Sequence, residues 1–428
     1  MPRLADPQFA PDCTIVVDGD RVPARAGESV VSALLAAGRP LLGRSSKYHR
    51  PRGAFCLAGS CASCLMRVDG VPNVRACRAP CRDGLAVETQ NALGSAAHDL
   101  LGAIDLLAPD GIDHHHLATW SQLANKIAVG ASRQLAGLGQ LPDRTPAPWP
   151  PAREERFDAL VVGAGPAGLG AAESLARAGR RVLLAERERA AGGRLRCRLE
   201  LPGDPPLRWA REVEAALGRA GGEVATAAAV LGVWPAHGEW QAAVVQGDER
   251  LRLARAPRLV LACGTWPLPP VFEGNDLPGI HGARGLAVAL AEDGVVPGQR
   301  AAVLGDGTEA EGVARRLAGA GMAVERIAGG VARSRGRLRL TGLELESGRS
   351  VECDTLAVAT ARAPASELAR EAGAALALDP ETGAWWVRPG EAGAIAPGAF
   401  AAGELSGPCS AAEAAEAGRR AGEAAARG

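Results

Sequence analysis

The chain has 428 residues, of which 47% are hydrophobic, enough for two or three domains with apolar cores. Its 48 Lys and Arg residues balance 48 Asp and Glu residues, so no overall charge favours nucleic acid, an anionic membrane or an acidic substrate. The sequence has no signal-peptide pattern and no run of about 18 apolar residues. It therefore predicts a cytoplasmic protein that does not enter a membrane.

Residues 1–95 predict a small β-grasp fold. Two strand patterns, Cys13–Val17 and 21–24, flank the turn sequence Asp18-Gly19-Asp20. A short helix is expected over 29–37, and further strands at Leu65–Val68 and 85–88.

Four cysteines in this region have the spacing of iron–sulfur ligands. Cys56, Cys61 and Cys64 form C-x4-C-x2-C, and Cys77 follows 13 residues after Cys64. This is the plant-type [2Fe–2S] spacing, in which a tight loop supplies three thiolates and a separate strand supplies the fourth. The alternative is a zinc site that combines Cys61-x2-Cys64 with Cys77-x3-Cys81. Zinc would leave Cys56 without a role, so the cluster is the favoured interpretation.

The other cysteines are predicted to be small buried hydrophobic residues rather than reactive thiols. They are Cys13, Cys197, Cys263, Cys353 and Cys409.

Residues 96–155 predict a helical segment around 123–138, followed by a linker. Five prolines between 142 and 151 exclude a helix or a central strand there. The run His114-His115-His116 is not predicted to bind a metal ion, because consecutive side chains diverge on a helix and alternate on a strand.

Residues 156–275 predict the first part of an FAD-binding domain. The sequence Gly163-Ala164-Gly165-Pro166-Ala167-Gly168 is G-x-G-x-x-G between a strand and a helix, which brings a pyrophosphate to the helix N-terminus. Glu186 ends the next strand and is expected to accept hydrogen bonds from the adenosine ribose. The alternative, a purely structural glycine turn, does not explain this acidic residue.

Three further signals favour FAD over NAD at this site. They are Gly192-Gly193-Arg194, the strand and glycine turn LVLACGT at 259–265, and AFAAGE at 399–404 before a final helix of small residues. In two-domain flavoproteins that last strand ends in Gly-Asp, whereas here the acid is Glu404, one methylene longer. The residues predicted to bind FAD are Gly163, Gly165, Pro166, Ala167, Gly168, Glu186, Gly193, Arg194, Gly403 and Glu404.

Residues 276–360 predict a second Rossmann-like domain, and residues 361–428 return to the FAD-binding domain. Gly305-Asp306-Gly307 opens the second unit, and Ala310 replaces the third glycine. The following strand, near Ala323–Ile327, has no acidic residue at its end. A structural role is therefore favoured, and NAD(P) binding at Gly305 and Gly307 is the alternative. The fold class is α/β, with two Rossmann-like dinucleotide domains of the disulfide-reductase-like flavoprotein type preceded by a β-grasp [2Fe–2S] ferredoxin-like domain.

The chain resembles the α subunits of heteromeric amine and amino-acid oxidoreductases, such as those of sarcosine oxidase, octopine and nopaline oxidase, and hydroxyproline dehydrogenase. The motifs that carry the resemblance, besides the flavin signals, are SKYHRPRG at 46–53, DGVPNVRAC at 69–77 and AGLG at 136–139. In such proteins the cysteine that follows Arg-Ala is the cluster ligand, which indicates Cys77 rather than Cys81. The resemblance also implies a flavoprotein β subunit that oxidises the amine.

The predicted function is that of an FAD and [2Fe–2S] electron-transfer subunit of a heteromeric amine or amino-acid oxidase or dehydrogenase. Large sarcosine oxidase α subunits continue into a folate-binding domain, so a chain of 428 residues fits the opine or hydroxyproline type better. No motif identifies a catalytic acid or base. The alternatives are a self-contained NAD(P)H-dependent oxidoreductase, a hydrogen cyanide synthase-like glycine dehydrogenase fusion, and a cluster-containing assembly or sensing protein.

Overall fold

The computed structural model describes residues 3–46, 48–100, 118–135, 142, 148, 150–199, 205–247 and 250–427. The run His114-His115-His116, the AGLG motif at 136–139 and most of the proline-rich linker lie outside these residues. The α-helices are α1 (Val30–Ala36), α2 (Gln122–Leu135), α3 (Pro166–Arg177), α4 (Pro205–Arg219), α5 (Ala283–Asp293), α6 (Gly307–Gly319), α7 (Glu367–Glu371) and α8 (Ala411–Arg427). Within the described ranges, none of these helices is both long and apolar enough to cross a membrane.

The strands are short and are numbered in chain order. They are β1 (Cys13–Val17), β2 (Asp20–Ala24), β3 (Gly43–Arg44), β4 (Pro51–Arg52), β5 (Leu65–Val68), β6 (Val71–Arg75), β7 (Ala86–Glu88), β8 (Arg153–Arg156), β9 (Ala159–Val162), β10 (Val182–Ala185), β11 (Glu223–Ala225), β12 (Ala228–Ala236), β13 (Glu239–Gln246), β14 (Arg250–Ala256), β15 (Arg258–Leu261), β16 (Thr265–Pro267), β17 (Ile280–Gly282), β18 (Arg300–Leu304), β19 (Ala323–Ile327), β20 (Val331–Arg335), β21 (Gly342–Leu345), β22 (Ser350–Val351), β23 (Thr355–Val358), β24 (Arg362–Pro364), β25 (Leu376–Leu378), β26 (Trp385–Val387), β27 (Ala394–Ala396) and β28 (Ala399–Ala401).

The chain divides into two compact units, each made of two segments. The first unit contains Met1–Pro146 and Pro269–Thr360, and the second contains Ala147–Leu268 and Ala361–Gly428. The ferredoxin-like region and the second Rossmann-like region therefore share the first unit.

The N-terminal part of the first unit has a five-stranded sheet in the order β2-β1-β7-β5-β6. β1 and β2 form the expected antiparallel hairpin, and β1 pairs with β7 in parallel. Ser29 caps α1 by accepting a hydrogen bond from the Ser32 N–H, and every side chain of α1 is buried. This mixed sheet with one packed helix is the expected β-grasp arrangement. The sequence does not predict β6, which pairs with β5 after the turn at Asp69-Gly70.

The second part of the first unit is a parallel sheet in the order β17-β23-β18-β19. Helix α5 follows β17, and α6 follows β18, as in a Rossmann-like unit. A small antiparallel sheet, β20-β21-β22, contributes Val331, Leu343 and Val351 to the apolar core of this part.

The second unit is built on the sheet β11-β10-β9-β15-β28-β27, of which the first five strands are parallel. The final helix α8 packs closely on α3. A side chain at Gly418 or Gly422 would overlap the backbone of Ala167 or Ala171 in α3, which explains why α8 is built from small residues. The sequence does not predict the antiparallel strands β12, β13 and β14, which form a further sheet with β8.

Candidate functional site

The cluster loop lies between β4 and β5 and carries Cys56, Cys61 and Cys64. The fourth cysteine, Cys77, comes two residues after β6. Because β5 and β6 form a hairpin, and the Ala76 N–H donates to the Cys64 carbonyl at 3.0 Å, Cys77 is brought back beside Cys64.

The four sulfur atoms converge in two connected pairs. The Sγ atoms of Cys56 and Cys61 lie 3.3 Å apart, and the Cys77 thiol hydrogen-bonds with those of Cys64 and Cys56. The hydrogen bond that Cys56 accepts from the Cys61 thiol is the main reason why the pKa of Cys56 is lowered. The hydrogen bond between Cys77 and Cys56 has the opposite effect on Cys77 and raises its pKa. A metal centre binds cysteines as thiolates, so its binding would release the protons of these thiols.

Backbone N–H groups of the loop point at these sulfurs. The Gly59 N–H donates to Cys77 Sγ at 3.2 Å, and the N–H groups of Ser60 and Cys61 donate to Cys56 Sγ at 3.3 and 3.4 Å. Such donors stabilise thiolates and tune iron–sulfur centres. The donor set therefore fits a [2Fe–2S] cluster, in which each iron takes two protein thiolates.

The zinc alternative has less support from the geometry. That alternative needs Cys81 as a ligand in place of Cys56. Cys81 has different surroundings from the four cysteines. Its N–H donates to the Glu28 carbonyl at 2.7 Å, and burial, together with the charge of Glu28, raises the pKa of its thiol to about 12.

The remaining cysteines differ in exposure. Cys197 and Cys353 are buried, as expected, whereas Cys13, Cys263 and Cys409 are only partly buried. Desolvation of the sulfur atom, in Cys263 despite the partial exposure of the residue, raises the pKa of both Cys263 and Cys353 to about 12, so these two thiols stay protonated at neutral pH.

The first glycine turn joins β9 to α3. Gly163 has a φ of +94°, and a side chain there would overlap the Ala262 carbonyl oxygen. A side chain on Gly168 would overlap the Gly163 carbonyl, so both positions require glycine. Gly165 is the N-cap of α3, and its missing side chain leaves the first-turn N–H groups accessible to an anion.

Glu186 lies immediately behind this turn. One carboxylate oxygen accepts a hydrogen bond from the Ala164 N–H at 2.7 Å, and the other accepts one from the Glu188 N–H at 2.8 Å. The side chain is buried, and this burial raises the pKa of the carboxyl despite the two N–H donors. Each oxygen retains a lone pair, so the carboxylate is suited to accept ribose hydroxyls.

The three other sequence features that favour FAD lie close together in the structure. Arg194 donates to Glu404 at 3.0 Å and to the Cys409 carbonyl at 2.7 Å. Thr265, at the end of LVLACGT, donates to the second oxygen of Glu404 at 3.4 Å. The Glu404 carboxylate therefore contacts Arg194 with one oxygen and Thr265 with the other.

The small residues predicted for this site also lie together. Pro166 and Ala167 begin α3 and are buried. A side chain on Gly403 would come within 2.7 Å of the Ala167 Cβ, and one on Gly193 within 2.7 Å of the Gly165 Cα. These contacts bring the end of β28 and the Gly192-Gly193 turn against the start of α3.

Arg362 is a member of this group that the sequence does not predict. Its Nε donates to the Thr265 hydroxyl at 2.7 Å across the β16–β24 pair. Arg362 belongs to no recognisable motif, so only tertiary structure brings it here. Arg187 likewise lies 4.2 Å above the ring of Trp266, next to Thr265.

The second glycine turn joins β18 to α6. Gly305 has a φ of +128°, and the space around Gly307 is open. The first turn of α6 nevertheless carries Glu309, whose carboxylate pairs with Arg284 at 2.7 Å. Arg284 is thereby engaged with Glu309 rather than with an incoming pyrophosphate.

The strand after α6 also lacks a ribose acceptor at its end. Glu325 is paired with Arg349, and Arg326 with Glu311 at 3.3 Å. The residues that follow β19 are Ala328-Gly329-Gly330, which have no carboxylate.

Two family profiles match the chain. A 2Fe-2S iron-sulfur cluster binding domain matches residues 11–92, and a pyridine nucleotide-disulphide oxidoreductase domain matches residues 157–330. These matches confirm the two predicted cofactors, a [2Fe–2S] cluster and FAD.

The solved structure of L-proline dehydrogenase from P. horikoshii has the same fold. It aligns with a TM-score of 0.76 at 23% identity, over 98% of this chain and 74% of that one. Together with the family profiles, this similarity confirms the predicted fold class.

Two curated relatives are similar in sequence. The chain is 32% identical to the alpha subunit of sarcosine oxidase from Rhizobium meliloti over 334 residues, which are 72% of this chain and 33% of that protein. It is 30% identical to an opine oxidase subunit from the same species over 159 residues, 35% of this chain and 34% of that protein. The chain therefore matches about a third of the length of each relative. It belongs to the family of FAD and [2Fe–2S] oxidoreductase subunits that includes these two proteins.

Proposed function

We propose that this chain is the electron-transfer subunit of a heteromeric oxidase or dehydrogenase that acts on an amine or amino acid. The main support is that a [2Fe–2S] loop and an FAD-type dinucleotide site occur in one chain whose relatives are subunits of oxidases. When bound, the flavin exchanges electrons in pairs and the cluster exchanges them singly, so a chain with both connects two-electron to one-electron chemistry.

In this proposal, each centre is held by residues described above. Cys56, Cys61, Cys64 and Cys77 are the cluster ligands, and the loop N–H groups stabilise their negative charge. The start of α3 receives the FAD pyrophosphate at Gly163, Gly165 and Gly168, and Glu186 accepts hydrogen bonds from the ribose.

Arg194 and Glu404 complete the proposed flavin site. Both side chains are largely buried and oppositely charged, so each holds the other in a fixed position. Arg362 orients the Thr265 hydroxyl, which in turn donates to Glu404. This arrangement fixes polar groups for a cofactor but includes no identified acid or base for amine oxidation.

The substrate class proposed for the complete enzyme is a secondary amine next to a carboxylate. Sarcosine and opines, from which the two relatives take their names, share this chemistry. Oxidation of such an amine removes two electrons and two protons and leaves an imine, which water then hydrolyses. We assign this step to a flavoprotein partner subunit, and the acceptance of its electrons to this chain.

The test compares turnover of sarcosine, hydroxyproline, opines and glycine with an artificial electron acceptor. The isolated chain, loaded with FAD and the cluster, is expected to oxidise none of them, and the chain co-expressed with its partner is expected to oxidise one class. Robust amine turnover by the isolated chain would show that no partner is needed and would contradict the proposal.

A second candidate is a self-contained NAD(P)H-dependent oxidoreductase. It is favoured by the parallel sheet with the Gly305 turn and the open space at Gly307. The pairing of Glu309 with Arg284 and the lack of an acid after β19 oppose it. Oxidation of NADH or NADPH by the isolated chain with ferricyanide would promote this candidate over the first.

A further inference from the structure

The loop that carries Cys56 is packed into the second Rossmann-like domain. The side chains of Phe55 and Cys56 are 8% and 1% exposed. They belong to one apolar core with residues of the parallel sheet, including Ile280 of β17, Leu304 of β18 and Val358 of β23. The first cluster ligand is therefore part of the core of a domain more than 200 residues away in sequence.

Two hydrogen bonds from β17 hold the backbone just before Cys56. The His281 Nδ1–H donates to the Ala54 carbonyl at 2.6 Å, and the Gly282 N–H donates to the Phe55 carbonyl at 2.8 Å. His281 is 1% exposed, and its burial lowers the pKa of the imidazole to about 4. The ring is therefore neutral at physiological pH, and the carbonyl contact requires its one proton on Nδ1.

Helix α5 then approaches the ligand itself. A side chain on Gly285 would overlap the Cys56 carbonyl oxygen and come within 2.8 Å of the Leu57 Cβ. The neighbouring residue Arg284 is paired with Glu309 of α6 at 2.7 Å. The first turn of α5 is thus held by the Rossmann-like domain on one side and touches the ligand backbone on the other.

The other end of α5 is also bound to the ferredoxin-like domain. The Ser32 hydroxyl donates to the Asp293 carboxylate at 2.6 Å, and Arg3 donates to the Asp293 carbonyl at 2.7 Å. Asp293 is buried, and Arg3 also pairs with the buried Glu28 at 2.9 Å. Contacts at both ends of α5 restrain rotation of the ferredoxin-like domain on this helix.

We propose that the second Rossmann-like domain serves as the support of the [2Fe–2S] loop, and that His281 and Gly285 are positioning residues for Cys56. Contacts outside the ligand shell orient the ligands and tune iron–sulfur centres. The domain thereby has a role that needs no nicotinamide nucleotide. The inference rests on the cluster and does not depend on amine turnover.

The first test substitutes Gly285→Ala in the full-length chain, loaded with FAD and the cluster. The new methyl group must displace the Cys56 backbone, so we expect altered g-values of the reduced cluster and a shifted midpoint potential. We also expect iron release to a chelator to become roughly 10-fold faster, the lower end of the effect of lost outer contacts on metal affinity.

The matched control is Gly319→Ala at the end of α6. This glycine is in the same domain, and a side chain there meets no atom within 4 Å. We expect the g-values, the potential and the iron release of the control to equal those of the parent. The proposal is overturned if Gly285→Ala behaves like Gly319→Ala, or if both change the cluster equally.

A second pair of variants removes any dependence on how well Gly285→Ala folds. His281→Leu deletes the donor to Ala54, whereas His281→Asn keeps an N–H near the position of Nδ1. We expect the cluster spectrum and potential to change in the leucine variant and to be restored in the asparagine variant. Equal, parent-like spectra in both would overturn the role of His281.

Discussion

The Arg194 guanidinium lies 3.0 Å from the Glu404 carboxylate, although the two residues are 210 positions apart. Arg194 follows the Gly192-Gly193 turn, and Glu404 follows the last strand of the parallel sheet. Their side chains are only 17% and 11% exposed. The pair therefore joins the two separate segments of the chain that build the second unit.

Substituting one member of this pair is expected to destabilise the second unit. Arg194→Met leaves the Glu404 carboxylate without its cation, and loss of one partner of a buried pair costs about 3 kcal/mol. We expect this loss in urea unfolding, together with faster FAD release followed by flavin fluorescence. The double variant with Glu404→Gln is expected to lose less than the sum of the two single losses.

The control for this experiment is Arg208→Met. Arg208 pairs with Glu212 on the exposed face of α4, with side chains 71% and 65% exposed. An exposed pair of this kind contributes about 0.3–0.5 kcal/mol. Equal losses for the Arg194 and Arg208 variants would show that the Arg194–Glu404 pair has no special role.

The cluster ligands are tested by two serine substitutions. The parent chain, purified without oxygen, is expected to hold about two irons and two acid-labile sulfides. Cys77→Ser should reduce this content, because the Cys77 sulfur meets those of Cys56 and Cys64 and accepts the Gly59 N–H. Cys81→Ser should leave it unchanged, since Cys81 is packed beside Glu28 instead. Loss of iron in Cys81→Ser but not in Cys77→Ser would identify Cys81 as the fourth ligand. One zinc per chain without iron would show that the site binds zinc and not a [2Fe–2S] cluster.

Local motifs could be predicted because their geometry is encoded over few residues. The glycine turn at 163–168 and the cysteine spacing each occupy a short stretch, and Ser29 before an apolar run indicates a helix start. The strands β12 and β13 could not be predicted, because their many alanines weaken the alternation between apolar and polar residues. In β14 the run Arg250-Leu251-Arg252-Leu253 does alternate, so this strand has a local signal.

Contacts between distant segments could not be predicted in this way. The hydrogen bond from His281 to Ala54 joins residues 227 positions apart, and neither residue belongs to a recognisable motif. The ion pair between Arg284 and Glu309 likewise bears on nucleotide binding at the Gly305 turn. It can be recognised only when α5 and α6 are known to lie side by side. Pairings of this kind depend on packing rather than on local sequence.

Glu186→Gln is expected to weaken both the fold around the first glycine turn and the retention of FAD. The carboxylate accepts N–H groups with both oxygens, whereas the amide of glutamine offers one oxygen and turns a donor towards the other N–H. An unpaired buried donor costs about 1–3 kcal/mol. Thermal unfolding and the rate of FAD release measure the two effects.

The exposed Glu154→Gln variant is the control for Glu186. Glu154 pairs with Arg255 at 3.3 Å, and its side chain is 63% exposed. Its loss should change stability by less than about 1 kcal/mol. Parent-like FAD retention in Glu186→Gln would contradict the role proposed for this carboxylate.

The pH dependence of stability is expected to contain a contribution from His281. Its burial lowers the pKa of the imidazole to about 4 in the folded chain, compared with about 6.5 in an unfolded one. Between these values the unfolded chain binds a proton that the folded chain does not, so stability falls as the pH falls through this range. From pH 7.5 to 5.5 the loss of unfolding free energy due to His281 is roughly 1 kcal/mol.

The variant His281→Asn tests this contribution, because asparagine retains a hydrogen-bond donor but does not titrate. Between pH 7.5 and 5.5 the unfolding free energy of the variant should therefore fall by roughly 1 kcal/mol less than that of the parent. Urea unfolding of parent and variant at the two pH values measures the difference. Identical pH dependences in the parent and His281→Asn would show that His281 does not become protonated when the chain unfolds in this range.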